Sequence, residues 1–91
     1  MKTIWKAALQ VCDEQTVLMP KGSKILYARE QNNQPCIWYG CDPGKADENE
    51  NRVIFIRGTG HPLPKIGNYV GTCMLDNGRL VLHIFDLGVA P

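Results

Sequence analysis

The sequence predicts an all-β protein, a small antiparallel β-sandwich or barrel of six to seven short strands. Segments rich in β-branched and aromatic residues alternate along the chain with Gly, Pro, Asn and Asp, which is the pattern of strands separated by turns. No segment shows the sustained period of a long amphipathic helix. A chain of 91 residues is the size of one domain, so residues 1–91 are expected to fold together.

The first strand is predicted at residues 3–11, where the side chains alternate between two faces. This segment also fits a helical template, but no cap or stop signal brackets it, which favours the strand. Further strands are predicted at 16–19, 24–30, 36–41, 52–57, 68–75 and 79–87. Between them, 32–35 reads as a turn, 42–51 as a polar loop, and Asp76-Asn77-Gly78 as a hairpin turn.

The segments 52–57 and 79–87 are apolar on both faces. Such strands are covered on both sides, either by a second sheet or by a partner subunit. A chain this short has a modest core, so the sequence predicts a homo-oligomer.

Charge and hydropathy exclude two classes of partner. The formal net charge is +1, too small for a protein that coats nucleic acid electrostatically, although a few local cations suffice for a small anion. No apolar run reaches the roughly 20 residues that span a bilayer, and the N-terminus lacks the apolar core of a signal peptide. We therefore expect no membrane association and a cytoplasmic location.

The four cysteines, at positions 12, 36, 41 and 73, are expected to be free thiols and mostly small buried side chains. Cys36 and Cys41 lie five residues apart on one predicted strand and so point to opposite faces, which argues against joint metal chelation. The sequence predicts no metal site and no cofactor.

The stretch RGTGHPLPK, residues 57–65, is the candidate ligand loop. Its glycines and prolines are explained either by a turn alone or by a loop that binds an anion through backbone N–H groups. In the second interpretation Arg57 and Lys65 neutralise phosphate, and Thr59 and His61 donate hydrogen bonds. A dinucleotide fingerprint is rejected because Leu63 replaces the third glycine and the prolines prevent the required helix.

Aromatic and histidine residues complete the candidate set. Trp38 and Tyr39 are adjacent on a strand, so one is expected in the core and the other exposed for stacking on a base or docking a partner. The alternative is that both rings are partly buried. His61 could act as a base in a small hydrolase, but no recognisable partner accompanies it. His83 is expected to be a hydrogen-bonded histidine on a half-buried strand. The predicted ligand-binding residues are Trp38, Tyr39, Arg57, Gly58, Thr59, Gly60, His61 and Lys65, with no catalytic residue.

The segments MKTIWK, MPKGSKIL, QPCIW followed by DP, GTGHPLP, YVGT and LVLHIF resemble short phage-encoded accessory proteins of unknown function. The resemblance implies a small soluble protein that acts inside an infected bacterial cell by stoichiometric binding. It implies no site residues, because no activity is established for that set.

The predicted function is therefore a non-enzymatic counter-defence protein that sequesters a small phosphorylated or nucleotide signalling ligand. The alternative is a protein-docking inhibitor of a host defence protein, in the manner of anti-CRISPR proteins. A small hydrolase that uses His61 is the third possibility.

Overall fold

The computed structural model describes residues 2–91 and confirms the all-β class. Seven strands form one sheet, and one turn of 3-10 helix lies at Pro43–Lys45. The strands are β1 Thr3–Ala8, β2 Glu14–Pro20, β3 Lys24–Gln31, β4 Gln34–Cys41, β5 Asn49–Gly58, β6 Asn68–Leu75 and β7 Leu80–Val89. The start of β5 lies inside the predicted polar loop, because residues 49–51 pair with the end of β2.

The strand order is β1-β4-β3-β6-β7-β5-β2, and the sheet curls into a nearly closed barrel. Every neighbouring pair is antiparallel except β3 and β6, which run parallel. The sheet is therefore mixed rather than purely antiparallel. This parallel contact joins two hairpins, β3–β4 and β6–β7, side by side.

Both hairpin turns have left-handed backbone conformations. Asn32 and Asn33 have φ of 54° and 59°, and Asp76 and Asn77 have φ of 51° and 57°. Asn and Asp tolerate this region better than other non-glycine residues, and such turns match the twist of the flanking strands. The turn predicted at Asp76-Asn77-Gly78 is confirmed, and the turn predicted at 32–35 is confined to its first two residues.

The core fills the interior of the barrel with alternate residues of the strands. Its least exposed side chains include Ile37 on β4, Ile54 on β5 and Ile84 on β7, each 0% exposed. Cys36, Cys41 and Cys73 are buried and Cys12 is exposed, all as free thiols. Burial raises the pKa of the Cys73 thiol to about 11, so this sulfur stays protonated at neutral pH.

Both faces of β5 are covered by other parts of the same chain. Ile54, Phe55 and Ile56 are all buried, which confirms that both faces of this strand are apolar and covered. On the outer face the Arg57 guanidinium lies 4.0 Å from the Phe55 ring centroid. No partner subunit is needed to bury this strand, so the homo-oligomer stays a prediction without that support.

The junction between β3 and β6 depends on one close backbone approach and two side-chain bridges. Ala28 pairs with Gly71, and a Cβ atom at position 71 would lie 2.3 Å from the Ala28 carbonyl oxygen. The Glu30 carboxylate accepts a hydrogen bond from the Met74 N–H at 2.6 Å. The Asn33 side-chain oxygen accepts one from the Asp76 N–H at 2.7 Å.

The Glu30 bridge is expected to make stability depend on pH. The bond from the Met74 N–H, and then that from Arg29, hold the pKa of the Glu30 carboxyl below its usual range. The stabilisation is therefore complete above the ordinary carboxyl pKa of about 4.3 and is lost as pH falls through the lower native value. We expect Glu30→Gln to lower the urea midpoint at neutral pH and to flatten its acid dependence. Glu48→Gln, in the exposed 42–48 segment, is the control; equal acid slopes for wild type and Glu30→Gln would contradict the assignment.

Within residues 2–91 the structure contains no helix long and apolar enough to cross a membrane.

Candidate functional site

A cavity of about 240 Å³ lies between the loop that follows β5 and the outer face of β7. The five consecutive residues predicted to bind a ligand, 57–61, all line it. Leu63 from the same loop and His83 and Phe85 from β7 complete the wall. The cavity therefore combines apolar surface with a few convergent polar groups, which is the usual composition of a small-molecule site.

Both ring nitrogens of His83 are hydrogen-bonded at the edge of the cavity. Its Nε2 lies 2.7 Å from the Thr59 hydroxyl, and its Nδ1 lies 3.2 Å from the Thr72 hydroxyl. The Thr72 hydroxyl in turn bonds the Tyr69 hydroxyl. In a neutral imidazole one ring nitrogen donates and the other accepts, and hydroxyls serve either role. The prediction of a hydrogen-bonded histidine on a half-buried strand is confirmed, and the chain Thr59–His83–Thr72–Tyr69 holds this ring in one orientation.

Carboxylates at the start of β2 and immediately before it bond both cations that flank the loop. The Arg57 guanidinium bonds the Asp13 carboxylate at 2.8 Å, and the Lys65 ammonium bonds Glu14 at 3.0 Å. The Arg57 side chain is only 16% exposed, whereas that of Asp13 is 85% exposed. The cation is thus fixed by the fold while its carboxylate partner projects into solvent.

Two backbone N–H groups of the loop are already hydrogen-bonded within the protein. The His61 N–H donates to the Gly58 carbonyl at 3.1 Å, and the Thr59 N–H donates to the Val81 carbonyl at 3.3 Å. Gly60 has φ of +86°, a conformation that favours glycine. A Cβ atom at position 58 would lie 3.0 Å from the His61 ring, so Gly58 allows this imidazole to approach the chain closely.

His61 borders two other cavities besides the first. One, of about 300 Å³, is also lined by Asp13 and Arg57, and another, of about 180 Å³, by Cys12 and Asp13. The Cys12 thiol bonds the Glu14 carbonyl and the Gln15 amide. Among residues 2–91 no hydrogen bond joins this thiol to His61, so the arrangement lacks the nucleophile–base contact of covalent catalysis.

Trp38 and Tyr39 do not reach the loop. Both lie on β4, which β3 and β6 separate from β7. Tyr39 is 5% exposed and meets the Trp5 ring edge-on at 6.5 Å. Trp38 is half-buried and packs against Tyr27 at 6.0 Å. One aromatic ring is therefore in the core, as predicted, but the ring that lines the loop cavity is Phe85, which stacks edge-on with Tyr69 at 5.8 Å.

Sequence reasoning missed the contributions of Asp13, Leu63, His83 and Phe85 to this site. For β7 a usable signal existed, because strand alternation places His83 and Phe85 on one face. In addition, the Asp76-Asn77-Gly78 turn fixes the register that sets Thr72 opposite His83. No local pattern indicates that Asp13 lies against Arg57, since these residues belong to distant segments.

A metal centre is not formed by the usual ligands here. In the part of the chain that the structure describes, no group of three or more His, Cys, Asp or Glu side chains is placed to hold a metal ion. The side chains that line the 240 Å³ cavity are one guanidinium, two imidazoles, a hydroxyl and an apolar wall.

The fold and this site define a small β-barrel domain with a loop cavity on its outer face. The chain belongs to the family of the domain of unknown function DUF7352, whose model matches residues 1–90. No curated protein and no solved structure is significantly similar to it.

Proposed function

We propose that the protein is a non-enzymatic binding protein that holds a small phosphorylated or nucleotide ligand in the loop cavity. The observation that carries the proposal is the convergence of Arg57–His61 with His83 and Phe85 around one cavity. A ligand with an apolar ring and a hydrogen-bonding edge fits this lining, because Leu63 and Phe85 supply apolar surface and Thr59 and His83 supply polar contacts.

The phosphate would bind Arg57 by replacing Asp13. The Asp13 carboxylate is 85% exposed, so it can turn into solvent, and the arriving phosphate then replaces it as the anionic partner of the mostly buried guanidinium. The guanidinium itself is already oriented by the Phe55 ring and by its bond to the Ile56 carbonyl. A planar guanidinium can bind phosphate through two parallel hydrogen bonds. Lys65 is available to a longer ligand through the same exchange with Glu14.

Asp13→Asn is expected to tighten ligand binding, since it removes the anion that competes for Arg57. Native mass spectrometry with a panel of cyclic and linear nucleotides selects the ligand, and calorimetry then measures Kd for each variant. Asp13→Asn should lower Kd several-fold, and Arg57→Gln should raise it about tenfold or more, equivalent to about 1.4 kcal/mol.

Arg79→Gln is the matched control, because this exposed cation pairs with Asp76 at the β6–β7 turn, outside the cavity. Its Kd should equal that of wild type. The proposal fails if no nucleotide in the panel binds, or if Arg57→Gln binds as tightly as wild type.

A second candidate function, protein docking, is favoured by exposed apolar residues on β1 and β3. Ile4 is 60% exposed, Leu26 46% and Tyr27 47%, and Ile4 and Leu26 line an open groove of about 560 Å³ with Gly40. Apolar surface of this kind is common at protein interfaces. With the phage-like resemblance, it supports a host defence protein as partner through an interface of about 800 Å² per side.

The two candidates are separated by two substitutions on different surfaces. If docking is the function, Leu26→Glu should abolish a complex with a purified host defence enzyme while Arg57→Gln leaves it intact. The complex should also form without any bound small molecule. Loss of the complex in Arg57→Gln alone would contradict docking through the β1–β3 surface.

A further inference from the structure

Strand β1 is an edge strand with unusually little cover. Five of its six residues are exposed, including Ile4 at 60% and Trp5 at 39%. Within residues 2–91 it pairs only with β4. An exposed, apolar edge is a template for another strand, and soluble proteins usually block such edges.

The hydrogen-bond pattern shows which residues of β1 point outward. Leu9 donates its N–H to the Pro35 carbonyl of the β4 side at 2.8 Å. Because the direction of these groups alternates along a strand, the odd-numbered residues of β1 bond β4. Ile4, Lys6 and Ala8 therefore direct their N–H and C=O groups to the free edge. Lys2, which precedes the strand, also directs its N–H to β4, at 3.0 Å from the Cys41 carbonyl oxygen.

The opposite edge of the sheet, β2, ends in a proline, which β1 lacks. The Lys21 N–H donates to the Glu48 carbonyl, so the odd-numbered residues bond β5 and the even-numbered residues point outward. Pro20 occupies one of these outward positions and has no N–H to offer. The two edges thus differ in their capacity to add a strand.

We propose that β1 pairs antiparallel with β1 of a second copy of this chain, and that Trp5 of one protomer lies opposite Trp5 of its partner. A two-fold axis perpendicular to the sheet relates the two strands and keeps matching faces on one side. Two residues that face each other lie on the same side of the sheet, so their residue numbers must add up to an even value. Repulsion between lysines then decides which even value is allowed. The assembly is independent of the ligand site, so it goes beyond the proposed function.

Like charges directly opposite one another destabilise a strand pair. A sum of 8 would place Lys6 opposite Lys2, and a sum of 12 would place Lys6 opposite Lys6. A sum of 10 avoids both, because Lys6 faces Ile4 and no lysine faces another lysine. This register also makes the outward-pointing Ile4 and Lys6 the hydrogen-bonded pair, and places the two Trp5 residues at a close, non-hydrogen-bonded position.

Lys6→Pro tests the assembly without breaking the backbone pairing with β4, because the backbone N–H that it removes is directed to the free edge. It also removes the hydrogen bond from the Lys6 ammonium to the Gln31 side chain. Wild type should sediment as a dimer at micromolar concentration and Lys6→Pro as a monomer. Leu18→Pro is the matched control, since Leu18 points its N–H outward on β2, and it should remain a dimer. A monomeric wild type, or a dimeric Lys6→Pro with native circular dichroism, would overturn the proposal.

Cysteine crosslinking tests the register and does not depend on a proline variant that folds. In a Cys12→Ser background, Trp5→Cys should form an intermolecular disulfide under mild oxidation, because opposed non-hydrogen-bonded positions suit disulfide geometry. Ile4→Cys should crosslink at least tenfold more slowly. Faster crosslinking of Ile4→Cys would overturn the register, and absence of any disulfide in Trp5→Cys would overturn the pairing.

Discussion

Arg52→Ala is expected to lower the free energy of unfolding by about 3–5 kcal/mol, since it leaves a mostly buried carboxylate without its cation. The Arg52 side chain is 9% exposed and bonds Asp86, itself 13% exposed, at 3.0 Å. Its guanidinium also donates to the Ser23 carbonyl at 2.7 Å and lies 3.6 Å from Glu50. This cluster joins β5, β7 and the turn before β3, so its loss affects the barrel at three points.

The measurement for Arg52→Ala is urea unfolding followed by circular dichroism at neutral pH. Domains of this kind have a total stability of about 5–15 kcal/mol, so the variant is expected to be partly unfolded without denaturant if the wild type lies near the lower limit. Arg79→Ala is the control, because both members of its ion pair are mostly exposed and such pairs contribute at most about 1 kcal/mol. Similar midpoints for the two variants would show that the cluster is not a structural ion pair.

Gly71→Ala is expected to separate β3 from β6. An added Cβ would lie 2.3 Å from the Ala28 carbonyl oxygen and 3.1 Å from its carbon, and both are backbone atoms that cannot rotate away. Added atoms at such a position typically cost about 1–3 kcal/mol, and more where the backbone cannot move. We expect a loss of about 3 kcal/mol and faster amide exchange at Met74, whose N–H bonds Glu30 across this junction.

The comparison for Gly71→Ala is Gly44→Ala in the 3-10 turn. There the nearest contact of an added Cβ is the Asp42 side chain at 3.2 Å, which can move. Its effect should stay within about 0.5 kcal/mol, as for most surface substitutions. A wild-type urea midpoint for Gly71→Ala, or unchanged exchange at Met74, would mean that β3 and β6 tolerate a wider separation.

Strand pattern alone predicts most of the fold, because each strand is bounded by turn residues whose preferences are local. The parallel contact between β3 and β6 cannot be predicted from such local preferences. It depends on Gly71 meeting Ala28 across more than forty residues of chain, and no short-range pattern specifies that meeting. Arg52 illustrates the same limit, since its charge suggests an exposed residue and only the packing of β7 buries it beside Asp86.

The sequence predicted the loop of the candidate site, but it did not predict the β7 residues that line the cavity with it. Glycine and proline mark Arg57–Lys65 as an irregular segment, and the structure places Arg57 to His61 around one cavity. Trp38 was expected beside the loop, but the strand order keeps it three strands away from the cavity, and strand order is a long-range property. His83 was within reach of prediction, since the hairpin register alone sets Thr72 opposite it.

The left-handed turns at Asn32–Asn33 and Asp76–Asn77 have a consequence for the order of folding. Each closes a hairpin whose strands are adjacent along the chain, and such hairpins form in about 1–10 μs. The pairings that complete the barrel, β3 with β6 and β5 with β7, join segments far apart in sequence and carry a larger loop-closure entropy. We therefore expect the docking of these two hairpins to limit the folding rate, and the chain to fold in milliseconds to seconds, as small proteins of high contact order do.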